Sequence, residues 1–167
     1  MEHYNIQPDL EIIDNAIPNF KEIQNIILSR EFPWFYNPQV TGGVVDEGQY
    51  QYTHTVYESF VPKSKIYDII APSLFPLINL KILHRIYINA IPLWERVIAN
   101  PWHVDVTNGK TATLYLNTND GQTRFKTGEC VDSVENRIAI FNSKTLHTGT
   151  TCTKPMRRVV MTVLYDV

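Results

Sequence analysis

The chain is poor in the residues that staple or punctuate small domains. Only two of its 167 residues are cysteine, Cys130 and Cys152, and no Cys-x-x-Cys spacing occurs. A disulfide framework and a cysteine-based zinc or iron–sulfur site are thereby excluded, and two reduced thiols are expected. Glycine is scarce, at seven residues, and no repeat, low-complexity segment or linker is visible. No apolar run approaches the roughly 20 residues of a membrane helix. Charge of neither sign predominates: 15 Lys and Arg against 17 Asp and Glu give a net charge of −2. The basic excess of a protein that grips nucleic acid through its phosphates is missing. The opening residues, Met1 to Pro8, lack a basic stretch followed by an apolar core, so no secretory signal and a cytoplasmic setting are expected.

What is present is enough for one core. A hydrophobic fraction of 44% over this length predicts a single domain, 1–167. Residues 1–80 read as a helical and strand-bearing support, and 81–167 as the main β core. Phe20, Ile23, Ile26 and Ile27 form one stripe of a helix over Ile17–Ser29. Glu31 to Pro38 contains two prolines and cannot extend it. Gly42-Gly43 opens a looser stretch, and the Tyr- and Thr-rich alternation over Gln49–Tyr57 predicts a strand. Ser64 is a candidate N-cap for a second helix over Lys65–Asn79, interrupted at Pro72 and Pro76. Further strands are expected over Leu83–Ala90, Thr111–Asn117, Gln122–Phe125, Arg137–Phe141 and Arg157–Tyr165, with Asn119-Asp120-Gly121 as a turn. Many short strands after a helical preface predict a mostly β fold with flanking α-helices, a double-stranded β-helix or jelly roll of about eight strands, cupin-like in outline. A smaller open sandwich is the alternative.

The chemistry gathers around Trp102-His103-Val104-Asp105. On a strand, His103 and Asp105 point to the same face. His147, after the apolar strand ending at Phe141, can join them from across the barrel. Two histidines and one carboxylate on one face, with coordination positions left open, is the ligand set of non-haem Fe(II) oxygenases. His3, His54 and His84 have no comparable partners. Arg157 and Arg158 open an apolar strand, and alternation sends one inward and the other outward. A guanidinium inside the barrel needs a fixed anion, which a bound dicarboxylate supplies in bidentate geometry.

In its order and spacing the half from Leu83 to Val167 resembles the Fe(II)/2-oxoglutarate-dependent dioxygenases, in their prolyl-4-hydroxylase-like branch. The resemblance rests on His103-x-Asp105, Tyr115-Leu116-Asn117, the glycine turn before Thr123-x-Phe125, the strand to Phe141, His147 and the arginine of the last strand. It extends to the compact single-domain members found in phage and bacterial genomes, in which case the setting is the host cytoplasm. It implies His103, Asp105 and His147 as iron ligands and catalytic centre. It implies Arg158, from the register Arg158-x-x-x-Thr162-Val163-x-Tyr165, as the anchor of the distal 2-oxoglutarate carboxylate, with Tyr115 bonded to the same carboxylate. Thr162, Tyr87 and Asn89 are further candidates for lining that pocket. The implied cofactors are Fe(II), 2-oxoglutarate and O2, with ascorbate as a candidate reductant. The implied reaction is hydroxylation of a C–H bond with release of succinate and CO2, and an aspartate at 105 leaves no vacant ligand site for a halide. The segment Ala90 to Trp102 lacks the glycine-rich look of many prolyl hydroxylases. The implied substrate is therefore peptidyl, prolyl included, or a small molecule.

Two other functions are weighed against this one. Nucleic-acid demethylases of the same superfamily carry two C-terminal arginines about six residues apart, whereas those here are adjacent. A non-catalytic jelly-roll module would have no use for a complete ligand set. A cupin-type site, with His-x-His and Glu, is absent. Substrate choice is expected from the N-terminal half, where Trp34-Phe35-Tyr36 and the segment Gly42 to Tyr52 read equally as packing and as a lid.

Overall fold

Alternating, β-branched segments become strands, and these carry most of the chain. The computed structural model describes residues 2–7, 9–40, 49–105 and 108–167, so Gly42-Gly43 and most of the segment Gly42 to Tyr52 lie outside the described residues. The strands are β1 (Glu2–Gln7), β2 (Leu10–Asp14), β3 (Phe35–Asn37), β4 (Gln51–Glu58), β5 (Val61–Pro62), β6 (Ile82–Ile91), β7 (Lys110–Tyr115), β8 (Gln122–Phe125), β9 (Cys130–Asp132), β10 (Ile138–Asn142), β11 (His147–Gly149) and β12 (Arg158–Asp166). Two helices, α1 (Phe20–Ile27) and α2 (Tyr67–Leu74), accompany them. The large antiparallel sheet runs β1-β2-β10-β7-β12-β6-β4-β3, with β5 against the end of β4. A second sheet, β11-β8-β9, faces it. This is the expected jelly-roll core, extended at both edges by strands from the first 60 residues.

Alternation along the central strands assigns the two faces. On β12, Val159, Met161, Val163 and Tyr165 join the cluster that includes Phe20, Ile23 and Ile27 of α1 and Ile70 and Leu74 of α2. Its other face carries Arg158, Val160, Thr162 and Leu164, all turned into the cleft between the sheets. A smaller cluster closes the floor of that cleft, including Leu10, Ile91, Tyr115, Phe125, Phe141 and Val160. Burial on both faces explains why β10 and β12 read as nearly continuous apolar runs rather than as half-polar strands.

The helices are shorter than the sequence predicts. α1 buries Phe20, Ile23 and Ile27 together with Gln24, and leaves Ile26 half-buried. α2 spans eight residues and retains Pro72 within it, so that proline removes one hydrogen bond without ending the helix. Pro76, just beyond, cannot donate at all. Ser64 provides no side-chain cap, only its carbonyl to the Tyr67 amide at 3.1 Å.

Candidate active site

His103 and Asp105 were expected on a regular strand; they lie on an irregular one. Among residues 100–105 only His103 forms a bridge, antiparallel to His147. Pro101, with no amide to give, prevents a longer ladder. The bridge does the positioning instead. His103 N–H donates to the His147 carbonyl and His147 N–H to the His103 carbonyl, both at 3.0 Å. Directly paired residues project to the same side, so one backbone contact brings the two rings within 4.5 Å of each other. Asp105 is held separately, its amide donating to the Ser143 carbonyl at 3.3 Å.

The result is a compact donor set. One ligand atom each from His103, Asp105 and His147 lies within 4.8 Å of the others. The Nε2 atoms of His103 and His147 stand 3.7 and 3.5 Å from the Asp105 carboxylate oxygens. Each ring is fixed from behind. Nδ1 of His103 donates to the Pro101 carbonyl at 3.2 Å, and Nδ1 of His147 to that of Thr145 at 2.9 Å. A proton on Nδ1 leaves the Nε2 lone pair bare and aimed at the centre, the state a metal requires. Burial also pushes the His147 pKa down, favouring the neutral ring. The carboxylate is oriented by a hydroxyl pair that no local pattern announces. Thr111 Oγ1 donates to Asp105 Oδ2 at 2.8 Å and, with its proton spent, accepts from Ser143 Oγ at 2.9 Å. Thr111 and Ser143 are both fully buried. Two imidazoles presenting Nε2 and one oriented carboxylate fit Fe(II).

At the other end of the cleft Arg158 is only 3% exposed. Its Nε donates to Ser133 Oγ at 2.9 Å and its Nη2 to Thr123 Oγ1 at 3.1 Å. No carboxylate among the described residues forms an ion pair with it. Burial pulls its pKa below the usual arginine value, yet a guanidinium keeps its proton. A buried, uncompensated cation is therefore built into the floor. Room for it comes from two glycines: a Cβ at Gly121 would lie 2.6 Å from Arg158 Cδ, and one at Gly149 would lie 3.2 Å from Nη1. Arg157 goes to the opposite face, its guanidinium 5.5 Å from the Trp34 ring centroid.

Tyr115 sits behind this group. Its hydroxyl donates to Thr123 Oγ1 at 2.8 Å, it is fully buried, and burial raises its pKa. Thr123 thus accepts from both Tyr115 and Arg158, and its own proton remains for an acceptor in the cleft it lines. Tyr87, Asn89 and Thr162 line the same cleft, of about 530 Å³. The Tyr87 hydroxyl is hydrogen-bonded to Thr162, and burial, then the Asp105 charge, raise its pKa. The Asn89 Oδ1 is buried and, among the described residues, lacks a partner. The structure brings seven of the eight sequence-predicted residues into the lining of this cleft, with Tyr115 one residue behind its wall. Sequence reasoning missed Thr111, Ser143, Thr123 and Ser133 as parts of the site. Only the alternation of Thr123 with Phe125 hinted at one of them.

No family model matches the chain, and no curated protein matches it. Solved structures do. A prolyl-4-hydroxylase from Pseudomonas putida aligns with 15% identity and a TM-score of 0.59 over 95% of this chain and 93% of its own. A prolyl hydroxylase from Trichoplax adhaerens, solved with a hypoxia-inducible-factor peptide fragment, aligns at 14% with a TM-score of 0.67 over 95% and 84%. The viral collagen prolyl hydroxylase of Paramecium bursaria Chlorella virus-1, in its 2-oxoglutarate complex, aligns at 13% with a TM-score of 0.60 over 95% and 96%. At these identities the likeness is one of architecture, and the fold of this chain is that of the prolyl-hydroxylase-like 2-oxoglutarate/Fe(II) oxygenases.

Proposed function

We propose that the protein is an Fe(II)- and 2-oxoglutarate-dependent dioxygenase that hydroxylates a C–H bond of a peptidyl or small-molecule substrate. One observation carries this reading: a buried arginine without an anion faces the same cleft as a two-histidine, one-carboxylate set. A metal-binding structural module would need the second feature and have no use for the first. With Fe(II) held there, the site would supply O2-driven decarboxylation of 2-oxoglutarate to succinate and CO2, with one oxygen atom going into the substrate.

The chain's own residues supply binding and shape. His103, His147 and Asp105 hold the metal through Nε2, Nε2 and a carboxylate oxygen. Arg158 takes the distal carboxylate of 2-oxoglutarate through its η nitrogens, and Thr123 donates its remaining proton to the same group. Tyr115 acts one step back, fixing Thr123. Val160, Ile91 and Leu164 give the cleft apolar walls that limit water. Thr162 and Tyr87, bonded to each other, stand between the two ends, and Asn89 beside them. Ascorbate fits the proposal as an external reductant, with no site assigned to it. Among the described lining residues Tyr87 is the only ring apart from the two histidines, so the described wall holds no pair of rings to sandwich a nucleobase. That disfavours the demethylase alternative.

The test is succinate release that requires both Fe(II) and 2-oxoglutarate. His103→Ala and Asp105→Ala are each expected to abolish it, and turnover that survives either change would refute the assignment.

A further inference from the structure

Arg158 is one of two cations among the described residues lining the cleft. The other is Arg85, and the sheet register fixes their relation. Arg158 pairs with Ile91, and Leu164 pairs with Arg85. Six residues along β6 separate Ile91 from Arg85, about 20 Å at roughly 3.3 Å per residue. The two arginines therefore mark opposite ends of one face. The metal-ligand end lies at the Arg85 side. Thr111, which holds the Asp105 carboxylate, pairs with Leu164, and Leu164 pairs with Arg85. Thr111, which holds Asp105, and Arg85 thus belong to one row across β7, β12 and β6. Two strand spacings separate the Thr111 and Arg85 backbones, about 10 Å. A molecule lying over the metal centre and a few bonds long spans that gap.

Arg85 is prepared for a ligand rather than left loose. Nε meets Glu58 Oε1 at 3.0 Å, and the guanidinium lies 4.9 Å from the Tyr87 ring centroid. Held from one edge and one face, it keeps its η nitrogens unspent among the described residues. Such an edge matches a carboxylate in bidentate geometry. Between Arg85 and the amides of Asn37 and Gln51 the wall carries Thr53 and Thr55, all lining the cleft. Asn37 Oδ1 already accepts from the Gln39 amide at 2.9 Å, which turns its NH2 outward. Gln51 Nε2 already donates to the Gln39 and Val40 carbonyls at 3.1 and 3.3 Å, which leaves its Oε1 to accept. Among the described lining residues Asp105 is the only carboxylate. The described wall offers hydrogen bonds and a guanidinium edge to an anionic group.

We infer that the primary substrate is a small carboxylic acid of the free amino-acid class, with its carboxylate on Arg85 and the bond to be hydroxylated held over the metal. This rests on the dioxygenase reading and specifies its substrate. The experiment measures succinate release by the Fe(II)-loaded protein with 2-oxoglutarate, in the presence of the common free amino acids and, in parallel, their carboxamides. The expected result is that at least one free acid stimulates release tenfold or more over its carboxamide. Arg85→Gln should raise the KM of that acid at least tenfold while leaving the KM of its carboxamide unmoved, and Arg85→Lys should restore part of the difference. Loss of charge discrimination in the variant, rather than of turnover alone, separates a carboxylate contact from a structural ion pair with Glu58. Equal stimulation by acid and carboxamide overturns the inference, and so does stimulation confined to peptides without a free carboxylate, or by no compound tested. A separate measurement guards the parent reading: the Mn(II)-loaded protein must bind 2-oxoglutarate in calorimetry. If it does, a negative panel counts against the role of Arg85 alone; if it does not, the dioxygenase reading fails first.

Discussion

The two ends of the cleft are stiffened in opposite ways. At the metal end each histidine is braced by the carbonyl two residues before it, Pro101 for His103 and Thr145 for His147. The segments carrying them are short, and a single bridge joins them. At the arginine end the functional group stands on a central strand, and its partners Ser133 and Thr123 lie 25 and 35 residues away in sequence. The metal end thus depends on a short segment, 100–105, joined to β11 by one bridge. The arginine end is part of the core, and holds a charge that the protein alone does not compensate. Stability and function are aligned at neither end: one site is built on weakly structured backbone, the other carries an electrostatic cost until its ligand arrives.

That contrast can be broken from either side. Asp105→Ala should abolish Mn(II) binding in calorimetry while leaving the melting temperature of the metal-free protein nearly unchanged. Arg158→Met should do the reverse: metal binding persists, 2-oxoglutarate affinity falls by a hundredfold or more, about 3 kcal/mol, and the ligand-free protein is no less stable, because an uncompensated buried charge has been removed. A ligand-free Arg158→Met that melts well below the parent would show that the guanidinium is a structural strut.

Smaller effects sharpen the same comparison. Thr111→Val removes the proton donated to Asp105 Oδ2 at nearly constant volume. It should weaken Mn(II) or Co(II) binding by about ten- to a hundredfold, with Thr111→Ser close to wild type; equal affinities for all three would dismiss the hydroxyl pair as incidental. Gly121→Ala puts a methyl 2.6 Å from Arg158 Cδ and should displace the guanidinium, lowering 2-oxoglutarate affinity by roughly tenfold, about 1.4 kcal/mol, without touching metal affinity. The smallest effect lies outside the cleft. Arg137 donates to both oxygens of Asp14, at 2.6 and 2.9 Å, tying β2 to the start of β10. Those hydrogen bonds hold the Asp14 pKa below its ordinary value. Its contribution is therefore complete above the unfolded-state pKa near 3.8 and is lost as pH falls through the lower folded value. Asp14→Asn should cost about 1 kcal/mol at neutral pH, and the gap between variant and parent in urea titrations should close in acid.

How much of this was legible in the sequence depended on how far each interaction reaches along the chain. Alternation located β4, β6, β7, β8, β10 and β12 to within a few residues, because pleating is a local property. It missed β1, β2, β3, β5, β9 and β11, each no longer than six residues and each completed by a neighbouring strand. His103-x-Asp105 was found as a spacing, but the geometry behind that spacing is different: an isolated bridge in place of a strand. The arginine pair shows the rule at its clearest: alternation sends one of the two inward and the other outward, the resemblance in the last strand favours Arg158, and Arg158 is the one turned into the cleft. Tyr115 shows where the rule stops. The sequence puts it near Arg158, and only the register of β7, β8 and β12 reveals that Thr123 stands between its hydroxyl and the cleft.

By itself, then, the sequence determined the fold class, the pairing of His103 with Asp105 and the inward turn of one arginine of the pair, all consequences of residue type and of a period of two; His147 and the choice of Arg158 rested on the order and spacing of motifs along the chain. Tertiary structure alone decided which hydroxyls orient Asp105, that Arg158 has no anion among the described residues, and that Arg85 shares a row with the metal end. Those facts depend on strand pairings between residues tens of positions apart. Pairing is fixed by the burial of whole sheet faces, which no short stretch of sequence contains.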